Sequence, residues 1–207
     1  MPLTVLSFIV APISGKLSHR VPIRILVGVG LGLVGVGLML MHGLKPDSDI
    51  SALLPGFLVA GIGIGVTNPN IGQAAIAVVP AAQAGMGSGI NTTFRQVGIA
   101  TGVASLGAVF QSRVDSRLSG LLPNGPDGLA EAVASGGSRA AAGFASPGQR
   151  PEVMHAAKVA FVSGFNEILL VGAILSFIGA ALGFALVRSS DFIQSQPQAE
   201  ATEPVPA

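Results

Sequence analysis

The stretch Ile25-Leu26-Val27-Gly28-Val29-Gly30-Leu31-Gly32-Leu33-Val34-Gly35-Val36-Gly37-Leu38-Met39-Leu40-Met41 runs seventeen residues without a charged or strongly polar side chain. A helix rises about 1.5 Å per residue and the hydrocarbon core of a bilayer is about 30 Å thick, so this run is borderline for a crossing and longer ones clear it. Three longer apolar blocks follow, at 52–79, 86–110 and 159–187. Such blocks predict an all-α integral membrane protein. Composition agrees: 10% of residues are charged and the mean hydropathy is +0.69, where a soluble domain carries about 25% charge.

Ahead of the deciding run lies the basic connection Gly15-Lys16-Leu17-Ser18-His19-Arg20-Val21-Pro22-Ile23-Arg24. The apolar stretch before it, Leu3–Ile13, is too short to span and has no polar lead-in, so it reads as the back end of a helix whose front end is missing. Counting it, the transmembrane domain 1–188 holds five segments, at about 1–14, 25–41, 52–79, 86–110 and 159–187, and a fragment is expected. Lys16, Arg20 and Arg24 stand without an acid in the first connection, whereas Lys45 is balanced by Asp47 and Asp49 in the second. The positive-inside bias therefore puts the first connection in the cytoplasm and, by alternation, the connection 111–158 outside and the C-terminus inside. That long connection is rich in Gly, Ala, Ser and Pro and is expected to be a mobile surface loop with one short helix at Leu129–Ala134. The tail 189–207 is expected to be disordered and cytoplasmic.

Several function classes fall away. The chain has no cysteine, its net charge is +1, no His/Asp/Glu cluster has metal-ligand spacing, and no Ser/His/Asp arrangement is supported. Neither an enzyme, a metal site, a cofactor nor a nucleic-acid partner is expected. Gly30-Leu31-Gly32-Leu33-Val34-Gly35 matches the dinucleotide fingerprint in letters only, because it lies inside an uninterrupted apolar run with no strand before it. The pairs Gly28/Gly32, Gly61/Gly65, Gly98/Gly102 and Gly179/Gly183 instead have the four-residue spacing that lets membrane helices approach closely.

Polar residues inside apolar blocks are the candidate site. Thr67-Asn68-Pro69-Asn70 interrupts the third segment, where proline removes a backbone hydrogen bond. Asn68 and Asn70 either satisfy the freed carbonyls or line an aqueous cavity. In the fourth segment Asn91 and Arg95 stand one turn apart with Gln96 beside them, and Gly98 and Gly102 continue the stripe, which should look inward. A guanidinium in mid-membrane costs at least about 2.5 kcal/mol, so Arg95 serves a pathway, snorkels to the boundary or bonds a neighbouring carbonyl. Glu167 is the candidate proton carrier, with snorkelling or pairing with Lys158 as the plainer reading.

The chain resembles the C-terminal part of the fourteen-helix drug:proton antiporter branch of the major facilitator superfamily. Gly15, Arg20 and Arg24 match that family's cytoplasmic loop motif, with His19 where aspartate is usual and Pro22 in place of a glycine. Gly85-Met86-Gly87-Ser88-Gly89-Ile90-Asn91-Thr92-Thr93-Phe94-Arg95-Gln96-Val97-Gly98 is similar to the segment opening the branch's thirteenth helix. The resemblance covers about residues 1–188 and implies helices ten (partial) to fourteen of the bundle. It further implies a multi-pass plasma-membrane protein that exports amphipathic small molecules against protons by alternating access. Without the N-terminal helices the piece is expected to be inactive alone. The competing reading of the glycine faces is a small self-standing membrane scaffold or partner-binding protein.

Overall fold

The computed structural model describes residues 2–18, 20–123, 125–137, 139–146 and 148–187. Every regular element among them is helical: α1 (Pro2–Leu17), α2 (Ile23–Met41), α3 (Leu54–Ala77), α4 (Ala84–Leu121), α5 (Leu129–Gly136) and α6 (Arg150–Leu186), with short 3-10 turns at Ile50–Leu53, Ala81–Gln83 and Ala140–Phe144. Four of these helices, α2, α3, α4 and α6, are long and apolar enough to cross a membrane. His19 and the tail 188–207 lie outside the described residues, so the departure from the loop motif at His19 and the expected disorder of 189–207 are not addressed by the structure.

The helices pack in the order α1, α3, α2, α6, α4. Glycine makes the tightest of these contacts, at a spacing of seven residues rather than the expected four. A Cβ on Gly37 would lie 2.6 Å from the backbone nitrogen of Ala60 and 2.8 Å from the carbonyl of Gly56, and one on Gly63 would lie 2.7 Å from the nitrogen of Val34. Gly30 meets Thr67 and Gly63 in the same seam. The α2 positions 30 and 37 therefore face α3, while 28 and 35 face the rings of Phe184 and Phe177 on α6. Seven residues are almost two full turns, so residues at that spacing return to one face over a longer seam than a four-residue pair covers. Gly32, half of the expected Gly28/Gly32 pair, has nothing within 4 Å of where its Cβ would be.

Helices α4 and α6 are far longer than a bilayer is thick. Their 38 and 37 residues extend about 57 and 55 Å, roughly 25 Å more than a membrane core needs. This corrects the expectation of a mobile loop over 111–158. The overhanging ends of α4 and α6 run antiparallel, and α5 with the turn Ala140–Phe144 closes over them. Val114, Leu118, Leu129, Val133, Ala141, Val153, Ala156, Ala157 and Ala160 form one buried cluster there. Alanine, read as a sign of poor burial, is what allows the close helix approach: Ala141, Ala157 and Ala160 are completely buried. The short helix expected at Leu129–Ala134 is present and runs to Gly136.

Candidate functional site

Helix α3 carries Pro69 in its interior, and several of the polar groups around it are hydrogen-bonded. Thr67 Oγ1 donates to the carbonyl of Gly63 at 2.8 Å, and Asn70 Nδ2 donates to the carbonyl of Val66 at 2.6 Å and to Ser14 Oγ on α1 at 2.8 Å. Ser14 in turn donates to Val66, and Ser18 to Gln73 Oε1, so the α1–α3 contact is tied by hydrogen bonds at two levels. Asn70 is completely buried, with its Oδ1 lacking a hydrogen-bond partner. Asn68 and Asn70, expected either to satisfy freed carbonyls or to line a cavity, stand in different surroundings. Two residues on a helix are about 200° apart, and while Asn70 is sealed against α1, Asn68 is exposed on another face.

The fourth helix presents the opposite situation. It touches α3 at its first turn, where a Cβ on Gly87 would meet the carbonyl of Ala75 at 2.7 Å, and touches α6 chiefly through the overhang, where Gly164 lies against Phe110 and Val114. Between residues 88 and 105 every residue is exposed except the half-buried Asn91 and Gly102. Only 6% of the most apolar window of this segment is buried, against 33% for α2. Arg95 and Gln96 stand on this bare stretch, and Arg95 takes part in neither of the two ion pairs among the described residues. Because α4 begins at Ala84, Arg95 lies about 16 Å along the helix, close to the middle of a bilayer. The threonines beside it are satisfied by their own helix, Thr92 donating to Ser88 and Thr93 to Gly89. The inward-looking stripe expected from Asn91, Arg95, Gly98 and Gly102 is not covered by α1, α2, α3 or α6: Gly98 and Gly102 have nothing within 4 Å.

At the far end of the span Glu167 pairs with Arg113 at 3.5 Å, not with Lys158, which reaches Asp47 at 3.1 Å instead. Arg117 donates to Ser163 one turn further out, so α4 and α6 are joined by polar contacts where they leave the apolar zone. Asn166 Oδ1 accepts from the backbone of Gly43 and Leu44, and its Nδ2 donates to the carbonyl of Leu44, which latches the α2–α3 connection onto α6. Local sequence carries no signal for this, because the partners lie more than 120 residues apart. The basic end, with Lys16, Arg20 and Arg24 exposed around the α1–α2 connection and Gly15 half-buried, is at the opposite side of the bundle.

A chain of four helices long and apolar enough to cross a membrane, with glycine-sealed seams and one helix left bare around Arg95, has the character of part of a polytopic helical membrane protein. The family model described as Major Facilitator Superfamily matches residues 1–103. The chain is 28% identical over 185 residues to the multidrug efflux pump LfrA of Mycolicibacterium smegmatis, covering 88% of this chain and 36% of that one. It is 28% identical over 221 residues to the tetracenomycin C resistance and export protein of Streptomyces glaucescens, covering 100% of this chain and 39% of that one. A triacylglyceride transporter of Mycolicibacterium hassiacum is 29% identical over 203 residues, covering 91% of this chain and 36% of that one. The chain belongs to the major facilitator superfamily, a family of membrane transporters and not of enzymes, and is a multi-pass plasma-membrane protein. It spans little more than a third of the length of these relatives.

Proposed function

We propose that this chain is the C-terminal part, helices ten (partial) to fourteen, of a proton-coupled efflux transporter of the fourteen-helix drug:proton antiporter branch. The intact protein exports amphipathic compounds by alternating access, and the 207 residues alone are inactive. The observation that carries this reading is the bare stretch of α4. A guanidinium at mid-membrane depth without a partner is too costly to face lipid, so Arg95, with Asn91, Gln96 and Asn68, faces either a water-filled pathway or the missing N-terminal helices. Asn70 serves instead to hold α1 to α3. The export reading is supported by the relatives, a multidrug efflux pump, a tetracenomycin C resistance and export protein and a triacylglyceride transporter.

Glu167, the candidate proton carrier, is paired with Arg113 across the α4–α6 contact, so a relative movement of these two helices would separate the pair. The basic end bearing Gly15, Arg20 and Arg24 is cytoplasmic, as is the C-terminus. In the full-length gene product, Arg95→Ala is expected to lower efflux of a fluorescent amphipathic dye at unchanged membrane abundance; unchanged efflux removes Arg95 from the pathway. An antibody against the tail Gln194–Ala207 is expected to detect a native product near 50 kDa, about nine further helices with their loops. A sole band at 20.6 kDa would favour a self-standing scaffold.

A further inference from the structure

A cavity lies where the folded cap meets the apolar part of α4 and α6. It has a volume of about 570 Å³ and is walled by Leu106, Gly107 and Phe110 of α4, by Phe161, Phe165 and Ile168 of α6, and by the C-terminal turn of α5 around Ser135. Phe110 and Phe161 meet edge to face, with ring centroids 5.3 Å apart, and brace α4 against α6 beside it. A volume in this range is that of a small-molecule pocket.

The lining chemistry restricts the occupant. No charged side chain contributes to it. The one polar side chain, Ser135, already donates its hydroxyl within its own helix, to the carbonyls of Glu131 and Ala132, and the backbone nitrogen of Gly137 is bonded to Val133. An anion entering here meets no free donor, and a sugar or peptide finds only the last carbonyls of α5 as acceptors, so most of its polar groups would lose their hydrogen bonds to water, at a cost of about 1–3 kcal/mol for each. An apolar chain loses nothing.

The level of the groove says where that chain comes from. The groove residues 106–110 and 161–168 lie at one end of the apolar blocks 86–110 and 159–187, and the pair Arg113–Glu167 joins α4 to α6 at that same end, which puts the groove at the edge of the hydrocarbon core. The groove straddles this level and continues toward mid-membrane into exposed apolar side chains such as Val103, Ile174 and Leu175. We infer that this groove holds the acyl chain of a bilayer lipid, which enters sideways from the membrane and anchors the cap to it. Occupancy is independent of what the intact protein exports.

Gly107 offers a direct test, because a Cβ there has nothing within 4 Å and a large side chain would fill the groove without displacing backbone. The native gene product is placed in phosphatidylcholine vesicles containing a phospholipid with a diazirine on its acyl chain, irradiated, and mapped by peptide mass spectrometry. Adducts are expected severalfold more often on 106–110 and 161–168 than on the apolar stretches 97–101 and 178–184, which lie beyond the groove. Gly107→Phe should reduce them to the level of those stretches, and Gly107→Leu should do the same if the larger variant fails to accumulate. Gly98→Phe, on the same helix with equally open space, should leave them unchanged. Uniform labelling, labelling that survives both Gly107 variants, or labelling only by a diazirine amphipath supplied from water would overturn the lipid assignment.

Discussion

The α2–α3 seam and the bare stretch of α4 are both rich in glycine, yet they use it in opposite ways. Along the seam, one carbon added at Gly37, Gly56 or Gly63 would collide with backbone and one at Gly30 with the Thr67 hydroxyl; along α4, Gly89, Gly98 and Gly102 look into open space. A small residue in a membrane helix removes bulk, and what the removal achieves depends on whether another helix arrives. The seam is finished within this chain. The α4 face is left open by α1, α2, α3 and α6.

The sharpest way to break this contrast is Gly37→Leu. Its branched side chain would be driven into the backbone of Ala60 and Gly56, which cannot rotate away, and the overpacking should cost about 3 kcal/mol or more. Loss of a monodisperse species on size-exclusion chromatography in detergent is the expected result. Full recovery of folded protein would mean that the seam is looser than its distances imply.

A smaller effect is expected from Asn166→Ala, which strips the latch from Gly43 and Leu44 but leaves every helix seam in place. Because the site is partly exposed, water replaces some of the lost bonds, and a loss of about 1–2 kcal/mol is expected. Thermal unfolding should shift modestly, and proteolysis within 42–49 should quicken. An unchanged cleavage rate would mean that Lys158 and Asp47 alone suffice to hold the connection.

Gly102→Ala should do least. With no neighbour within 4 Å, the added methyl group costs no packing and raises helix stability by about 0.5–1 kcal/mol. A destabilised variant would show that a surface absent from these contacts already covers α4 in the membrane.

The basic end and the spanning blocks of α2, α3, α4 and α6 were legible because hydropathy over twenty residues is a bulk property that hardly depends on tertiary context. Arg95 was legible for a related reason: a cation in such a block is expensive wherever the helix packs. The cap was missed although part of its signal lay in the open. Val114 and Leu118 stand one turn apart, and Val153, Ala156, Ala157 and Ala160 follow a helical spacing. Composition pointed the other way, since alanine and glycine were weighed as poor core formers when they were the condition for close approach.

By itself, the sequence determined that this protein lives in a bilayer, how many times its described helices can cross, and which side chains are costly there, because those are properties of composition and spacing along one chain. Only the tertiary structure decided which glycines carry a seam, that Asn70 is sealed while Asn68 is not, that Glu167 belongs to Arg113, and that the connection after α4 is a folded cap. Each of these depends on which faces of two helices meet, and that choice is made by side chains distant in sequence whose shapes and hydrogen bonds must fit at the same time.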